Sequence, residues 1–191
     1  MKNGLFVVSH LGSDSGDLVK SLNDNPRVTI YDFSGLYDHY SSLQTLFGQR
    51  HKARDSSAVY GDHLCFNTNF YCSDLYSCCK FIYVISPPRI ALPRIIQENN
   101  YNPIGSSRYY AYRLRRICEM AKRTPGAVLL RSENMQSKMH LVKDYLGLKS
   151  PVNLDLTNDD SEVTVDSSLM SSAEDCYERH LYFLNQQQLV K

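Results

Sequence analysis

The sequence carries almost no excess of either charge. Its 21 Lys and Arg stand against 20 Asp and Glu, a formal net charge of +1. Nucleic-acid and membrane-surface binders show a basic surplus, so neither partner is expected, and any electrostatic function must come from a local cluster. There is no long hydrophobic run either. Leu5 to Val8 is too short for a signal-peptide core or a spanning helix, and nothing later reaches that length. The chain therefore reads as cytoplasmic. Six cysteines are present, at 65, 72, 78, 79, 118 and 176. None forms a CxxC or a Cys/His pair at zinc-binding spacing, so no metal is expected. They read as reduced, mostly buried thiols, with the adjacent Cys78 and Cys79 side chains diverging on a strand or helix. Internal repeats and domain linkers are absent too, which leaves a single domain over residues 1–191 with 42% hydrophobic residues to build one core.

What is present alternates between strand and helix. Leu5-Phe6-Val7-Val8 is a continuous apolar run that fits a buried parallel strand. A Ser-, Gly- and Asp-rich loop follows from Ser9 to Gly16, then a helix carrying Leu18, Val19 and Leu22, then a second strand at Val28–Tyr31. This order opens a βαβ unit. Leu36 to Phe47 has helical spacing, and the polar stretch from Gln49 to Asp62 reads as an irregular excursion. Phe81 to Ile85 is the strongest strand, ended by Ser86-Pro87-Pro88, with a helix after it from about Ile90 to Glu98. Ser106 to Arg123 is a long helix whose apolar stripe is Tyr110, Leu114, Ile117, Cys118 and Ala121. Another strand, Ala127–Leu130, precedes a helix from Met135 to Leu146 with Gly147 at its C-terminal end. Ser150 to Asp166 reads as an extended loop. A last helix, Ser172 to Leu189, has Cys176, Leu181 and Leu184 facing inward.

The segment between the first strand and first helix, Ser9-His10-Leu11-Gly12-Ser13-Asp14-Ser15-Gly16-Asp17-Leu18, has the make-up of a phosphate cradle. Backbone N–H groups and a helix N-terminus converge there. It is neither a Walker loop, for lack of Gly-Lys-Ser/Thr, nor a GxGxxG fingerprint. Loops of Ser, Gly and Asp are also ordinary turns, so the pattern alone leaves that reading open.

Taken together, three pieces resemble the sulfotransferases that use 3′-phosphoadenosine 5′-phosphosulfate (PAPS). The strand, the loop ending in Ser15-Gly16, the helix and Asn25-Pro26-Arg27-Val28 resemble the family's 5′-phosphosulfate loop. Lys80 to Arg89 resembles the strand and loop that hold the 3′-phosphate, and Tyr110 to Glu133 the helix and strand that follow. The resemblance covers roughly residues 5–35 and 75–146 of a short, divergent chain. It implies a three-layer α/β fold with a mainly parallel sheet and P-loop-NTPase-like topology. It also implies PAPS as co-substrate, its desulfated product PAP, and a small-molecule or glycan hydroxyl as acceptor. Gly12, Ser13, Asp14, Ser15, Gly16, Asp17 and Leu18 would then hold the 5′-phosphosulfate. Arg89, with Ser86 or Arg94, would hold the 3′-phosphate.

The departures are chemical. Asp14 stands where the family carries Lys or Arg, and Asp17 where it prefers Thr; two carboxylates would repel a phosphosulfate. Asp17 also has the plainer role of stabilising a helix N-terminus. Ser86 and Arg94 exchange the family's Arg and Ser, which preserves one cation and one hydroxyl if they converge. Sulfuryl transfer to a hydroxyl needs a general base, for which His10 and His63 are the candidates and His51 a third; His39, His140 and His180 fall in predicted helices away from the loops. Arg108, Arg113, Arg115, Arg116, Lys122 and Arg123 could line an anion or polysaccharide groove, but they spread around their helix, so a solvated face is expected. Tyr109, Tyr110 and Tyr112 read as packing residues. Three functional classes stay open: a sulfotransferase, a binding or structural module that has kept the fold without catalysis, and an enzyme using the same loop for another phosphate ester.

Overall fold

Short apolar strands separated by helices bury both faces only as a parallel sheet between two helical layers. The computed structural model has this architecture, and it describes residues 4–31, 58–65, 73–99, 101–156, 163–187 and 189–190. Among the described residues five strands, β1 (Gly4–Val8), β2 (Val28–Tyr31), β3 (Val59–Leu64), β4 (Cys79–Ile85) and β5 (Val128–Arg131), lie in the order β2-β3-β1-β4-β5. Every pairing is parallel. The helices are α1 (Ser15–Asn23), α2 (Ser73–Cys78), α3 (Pro88–Asn99), α4 (Pro103–Ala121), α5 (Met139–Leu146) and α6 (Ser167–Asn185).

Alternation along the strands divides the core into two. Leu5, Val7, Ile82 and Val84 pack with Leu18 and Leu22 of α1 and Val142 and Leu146 of α5. Phe6, Val8, Phe81, Tyr83 and Ile85 face the opposite layer, where Ile95 of α3, Leu114 and Ile117 of α4 and Leu184 of α6 meet them. Each such side chain removed from water is worth about 1.5–3 kcal/mol, and both layers depend on β1 and β4.

β3 corrects the sequence reading, which placed an irregular excursion up to Asp62. Residues 59–64 form a strand inside the sheet, between β2 and β1. Glycine, aspartate and histidine in its centre hide it from any strand pattern. It is held instead by close contact with β1: a Cβ on Gly61 would stand 2.2 Å from the Leu5 carbonyl oxygen. The expected helix at Leu36–Phe47 lies outside the described residues.

Helix boundaries move where caps decide them. α4 starts at Pro103, earlier than Ser106, because Asn102 accepts the Gly105 N–H and proline suits a first helical position. α6 starts at Ser167 because the Asp166 carboxylate accepts the Ser168 and Leu169 N–H groups. It stops at Asn185, and Val190 then pairs with Val128 of β5. A 3₁₀ turn at Gln136–Lys138, preceded by another at Ser132–Asn134, replaces the expected first turn of α5, which ends on Gly147 as read. Cys65, Cys78, Cys79, Cys118 and Cys176 are free thiols. Cys78 and Cys79 do not diverge: they straddle the junction of α2 and β4, and their Sγ atoms lie 3.8 Å apart. Among the described residues no helix is long and apolar enough to cross a membrane.

Candidate active site

A parallel sheet gathers its strand-to-helix loops at the carboxyl ends of the strands, which is where ligands bind in open α/β folds. Here the loops after β1, β3 and β4 meet, and the contacts between them are polar. Ser9, the first residue past β1, donates its backbone N–H to Leu64 O at 3.0 Å. Its Oγ lies 3.0 Å from His63 Nε2. Ser15 opens α1; its Oγ donates to Ser9 Oγ at 2.9 Å and also lies 2.9 Å from His63 Nε2. Ser13 Oγ reaches Ser15 Oγ at 2.9 Å and His10 O at 2.8 Å. The result is a chain of three hydroxyls ending on one buried imidazole. His63 gets there because β3 pairs in register with β1, Val7 opposite His63, and Asp62 beside it accepts the His63 N–H.

His10 is arranged differently. Its Nδ1–H donates to Leu11 O at 2.8 Å, and its Nε2 accepts the Ser86 N–H at 2.9 Å. Both ring nitrogens are engaged, and the imidazole ties the loop after β1 to the loop after β4. Burial lowers its pKa from 6.5 to about 4, so it is neutral around pH 7. The edge-on Tyr110 ring, 5.1 Å away, closes it in.

Three residues of α4 hold the loops from beneath. Arg113 is 1% exposed; its Nε donates to Ser9 O at 2.7 Å and its Nη2 to Leu64 O at 2.5 Å. This corrects the solvated-face reading for that arginine. At i+3 from Tyr110 and i−4 from Ile117, Arg113 falls inside the apolar stripe, and that position was the available signal. Tyr109 Oη accepts the Leu11 N–H at 3.0 Å and donates to Cys65 O at 2.5 Å. Tyr110 Oη donates to Ser86 O at 2.7 Å, whereas Tyr112 is exposed.

The other candidate ligands separate into groups. Gly12 has φ 69°, and a Cβ there would stand 2.5 Å from the Ala91 carbonyl oxygen, so glycine lets the loop touch the first turns of α3. Leu18 is fully buried and is a core residue. Gly16 is exposed, with nothing within 4 Å of where a Cβ would stand. It follows Ser15 on the first turn of α1, where the N–H groups of residues 15–17 have no intrahelical acceptor. Asp17 lies on the same turn. Asp14 and Arg94 form a 2.5 Å ion pair, at 11% and 15% exposure, so the expected carboxylate and the expected phosphate-binding cation meet each other. Ser86 Oγ is hydrogen-bonded to Ser132 Oγ after β5, and Arg89 is exposed on the first turn of α3. His51 and His39 lie outside the described residues, His140 is exposed on α5, and His180 is on α6.

No protein-family model matches the sequence, and no curated protein is similar to it. Solved structures are similar in fold. The mouse sulfotransferase SULT7A1 in complex with PAP superposes with a TM-score of 0.56 at 13% identity, over 92% of this chain and 64% of that one. Retinol dehydratase in complex with retinol and PAP gives a TM-score of 0.49 at 10% identity, over 100% of this chain and 83% of that one. The chain thus spans just under two thirds of the mouse enzyme's length. With its five-stranded parallel sheet between helical layers, it has the sulfotransferase fold.

Proposed function

We propose that this chain transfers a sulfuryl group from PAPS to a hydroxyl of a small molecule or glycan. The observation that carries the reading is the junction of Ser15 and His63. A serine hydroxyl at a helix N-terminus lies 2.9 Å from a histidine nitrogen, and the glycine after it faces open space. First-turn amides supply neutral donors for the phosphosulfate end of PAPS, and the Ser15 hydroxyl joins them by turning its proton from Ser9. Arg89 is the cation for the 3′-phosphate. The mouse enzyme of like fold was solved with PAP, which supports this donor.

His63 is the base: its Nε2 accepts the proton of the acceptor hydroxyl, while β3 and Asp62 fix its backbone. His10 positions the two loops and does not exchange a proton, since its nitrogens are held by backbone groups, whereas the partners of His63 Nε2 are serine hydroxyls that an acceptor hydroxyl can replace. Asp14 opposes an anion less than its charge suggests, because Arg94 offsets it. PAPS supplies the activated sulfuryl group. The protein supplies orientation, hydrogen-bond donors and a place for the proton.

Calorimetric titration with PAP at low salt tests the donor site. Micromolar binding that weakens about tenfold or more in Arg89→Ala is expected; no binding at millimolar PAP overturns the proposal. The Asp14–Arg94 pair favours a second reading, a module that binds donor or another ligand without turnover, because the loop's carboxylate and the α3 cation satisfy each other. Transfer of label from ³⁵S-PAPS to a panel of hydroxyl acceptors separates the two. Turnover that disappears in His63→Gln with PAP affinity intact supports the enzyme, and its absence in the wild type supports the module.

A further inference from the structure

Away from the strand ends, α4 and α6 pack along one face of the sheet, and their outer surfaces enclose a groove of about 430 Å³. Arg115 of α4, Lys122 at the C-terminal cap of that helix and Arg179 of α6 line it, together with Glu119, His180 and the ring of Phe183. The sequence suggests cations scattered around α4. The fold changes this by burying Arg113 and by adding Arg179 from a helix distant in sequence. Lys122 and Arg179 are exposed, and neither has an ion-pair partner among the described residues. Lys122 Nζ sits 4.7 Å from the centroid of the Phe183 ring. Glu119 is held by Arg115 at 3.3 Å and by Arg116 at 2.6 Å. The His180 Nδ1–H donates to Cys176 O at 2.7 Å, which leaves Nε2 to act as an acceptor.

We infer that this groove binds an anionic saccharide, a short chain of sulfated or uronic-acid sugars. Three cations against one carboxylate select an anion. The carboxylate, the imidazole acceptor and the aromatic ring select a ligand that also carries hydroxyls and apolar C–H faces. An acidic peptide offers the cations the same charge, but it has few hydroxyls for the acceptors. The track continues beyond the groove: Tyr112 and Arg108 lie three and seven residues before Arg115, on the same face of α4, and Tyr112 is 48% exposed. From Arg108 to Lys122 the helix rises roughly 20 Å, the reach of a short oligosaccharide. This site does not depend on the donor reading, because none of its residues belongs to the loops at the strand ends.

Fluorescence anisotropy with a labelled chondroitin sulfate tetrasaccharide, on the full chain with and without saturating PAP, provides the test. The charged sugar binds and is weakened by salt, and neutral chitotetraose binds at least about tenfold more weakly. Lys122→Ala and Arg179→Ala, at exposed positions that leave the melting temperature unchanged, each reduce affinity by roughly three- to tenfold. PAP leaves the sugar's affinity unchanged, even if PAP itself does not bind. Four results overturn the inference. They are no binding of the charged sugar, equal binding by the two alanine variants, displacement by PAP, and hexaglutamate binding as tightly as the tetrasaccharide, which would make the groove a docking site for an acidic protein segment.

Discussion

β3 and β4 flank the same central strand with the same parallel geometry, yet they are built from opposite materials. β4 presents Phe81, Ile82, Tyr83, Val84 and Ile85, all buried and feeding both core layers. β3 places Gly61, Asp62 and His63 at the matching depth beside β1. A buried aspartate and histidine cost free energy unless their hydrogen bonds are made, and here they are made to a backbone N–H and to the Ser9 and Ser15 hydroxyls. One side of β1 therefore carries the packing, and the other carries the polar groups on which the proposed chemistry rests. The sheet tolerates the polar strand because the apolar one carries the packing.

Substitution should break this symmetry in opposite ways. The largest effect is expected at Gly61, where any side chain meets the β1 backbone. Gly61→Val should cost about 4 kcal/mol or more, close to the whole margin of a domain at the low end of ordinary stability, as read by circular dichroism and denaturant melting. Ile82→Ala in β4 removes a fully buried side chain and should cost about 2–5 kcal/mol. His63→Gln, on the polar strand, should cost little stability by comparison but reduce sulfuryl transfer by about 10²–10⁴-fold. A His63→Gln protein that keeps full turnover, or that unfolds as readily as Ile82→Ala, would erase the division between the two strands.

The same division explains what the sequence could reveal. β1, β4, β5 and the stripe of α4 were legible because burial on both faces, or along one helical stripe, writes a pattern of apolar residues. β3 was not, because its place is set by register with β1 and by satisfied polar groups, and neither leaves a periodicity. His63 and Ser15 could be singled out individually, but only the pairing of Val7 with His63 brings them together. Arg113 was legible in principle from its place in the apolar stripe and was obscured by the surrounding cations. The meeting of Asp14 with Arg94, eighty residues apart, needed the fold.

The tie between the loops after β1 and β4 is His10, and pH measures it. Its folded pKa of about 4 lies below the ordinary 6.5, so the unfolded chain binds the proton more readily. The stability this burial protects is complete above about pH 6.5. It declines as pH falls towards 4, and the total decline approaches about 3 kcal/mol. The melting temperature should drop across that window, and a His10→Gln variant should show a flatter profile even if it starts lower. A wild-type profile that is flat between pH 6.5 and 4 would mean that the imidazole does not clamp the loops in the neutral form.

The smallest effect is expected at Asp14, and it decides how closed the donor loop is. With Asp14→Asn, Arg94 loses its 2.5 Å carboxylate partner while the side chain's shape is kept. The pair is mostly buried but the amide still accepts from the guanidinium, so stability should fall by about 1–3 kcal/mol. At the same time the loop gains a cation without an anion to hold. If the Ser15 cradle accepts a phosphate, PAP affinity should rise about three- to tenfold, and more steeply at low salt. If affinity falls instead, the Asp14–Arg94 pair shapes the cradle and does not compete with the ligand. In that case the carboxylate at the family's cation position is part of how this site is built.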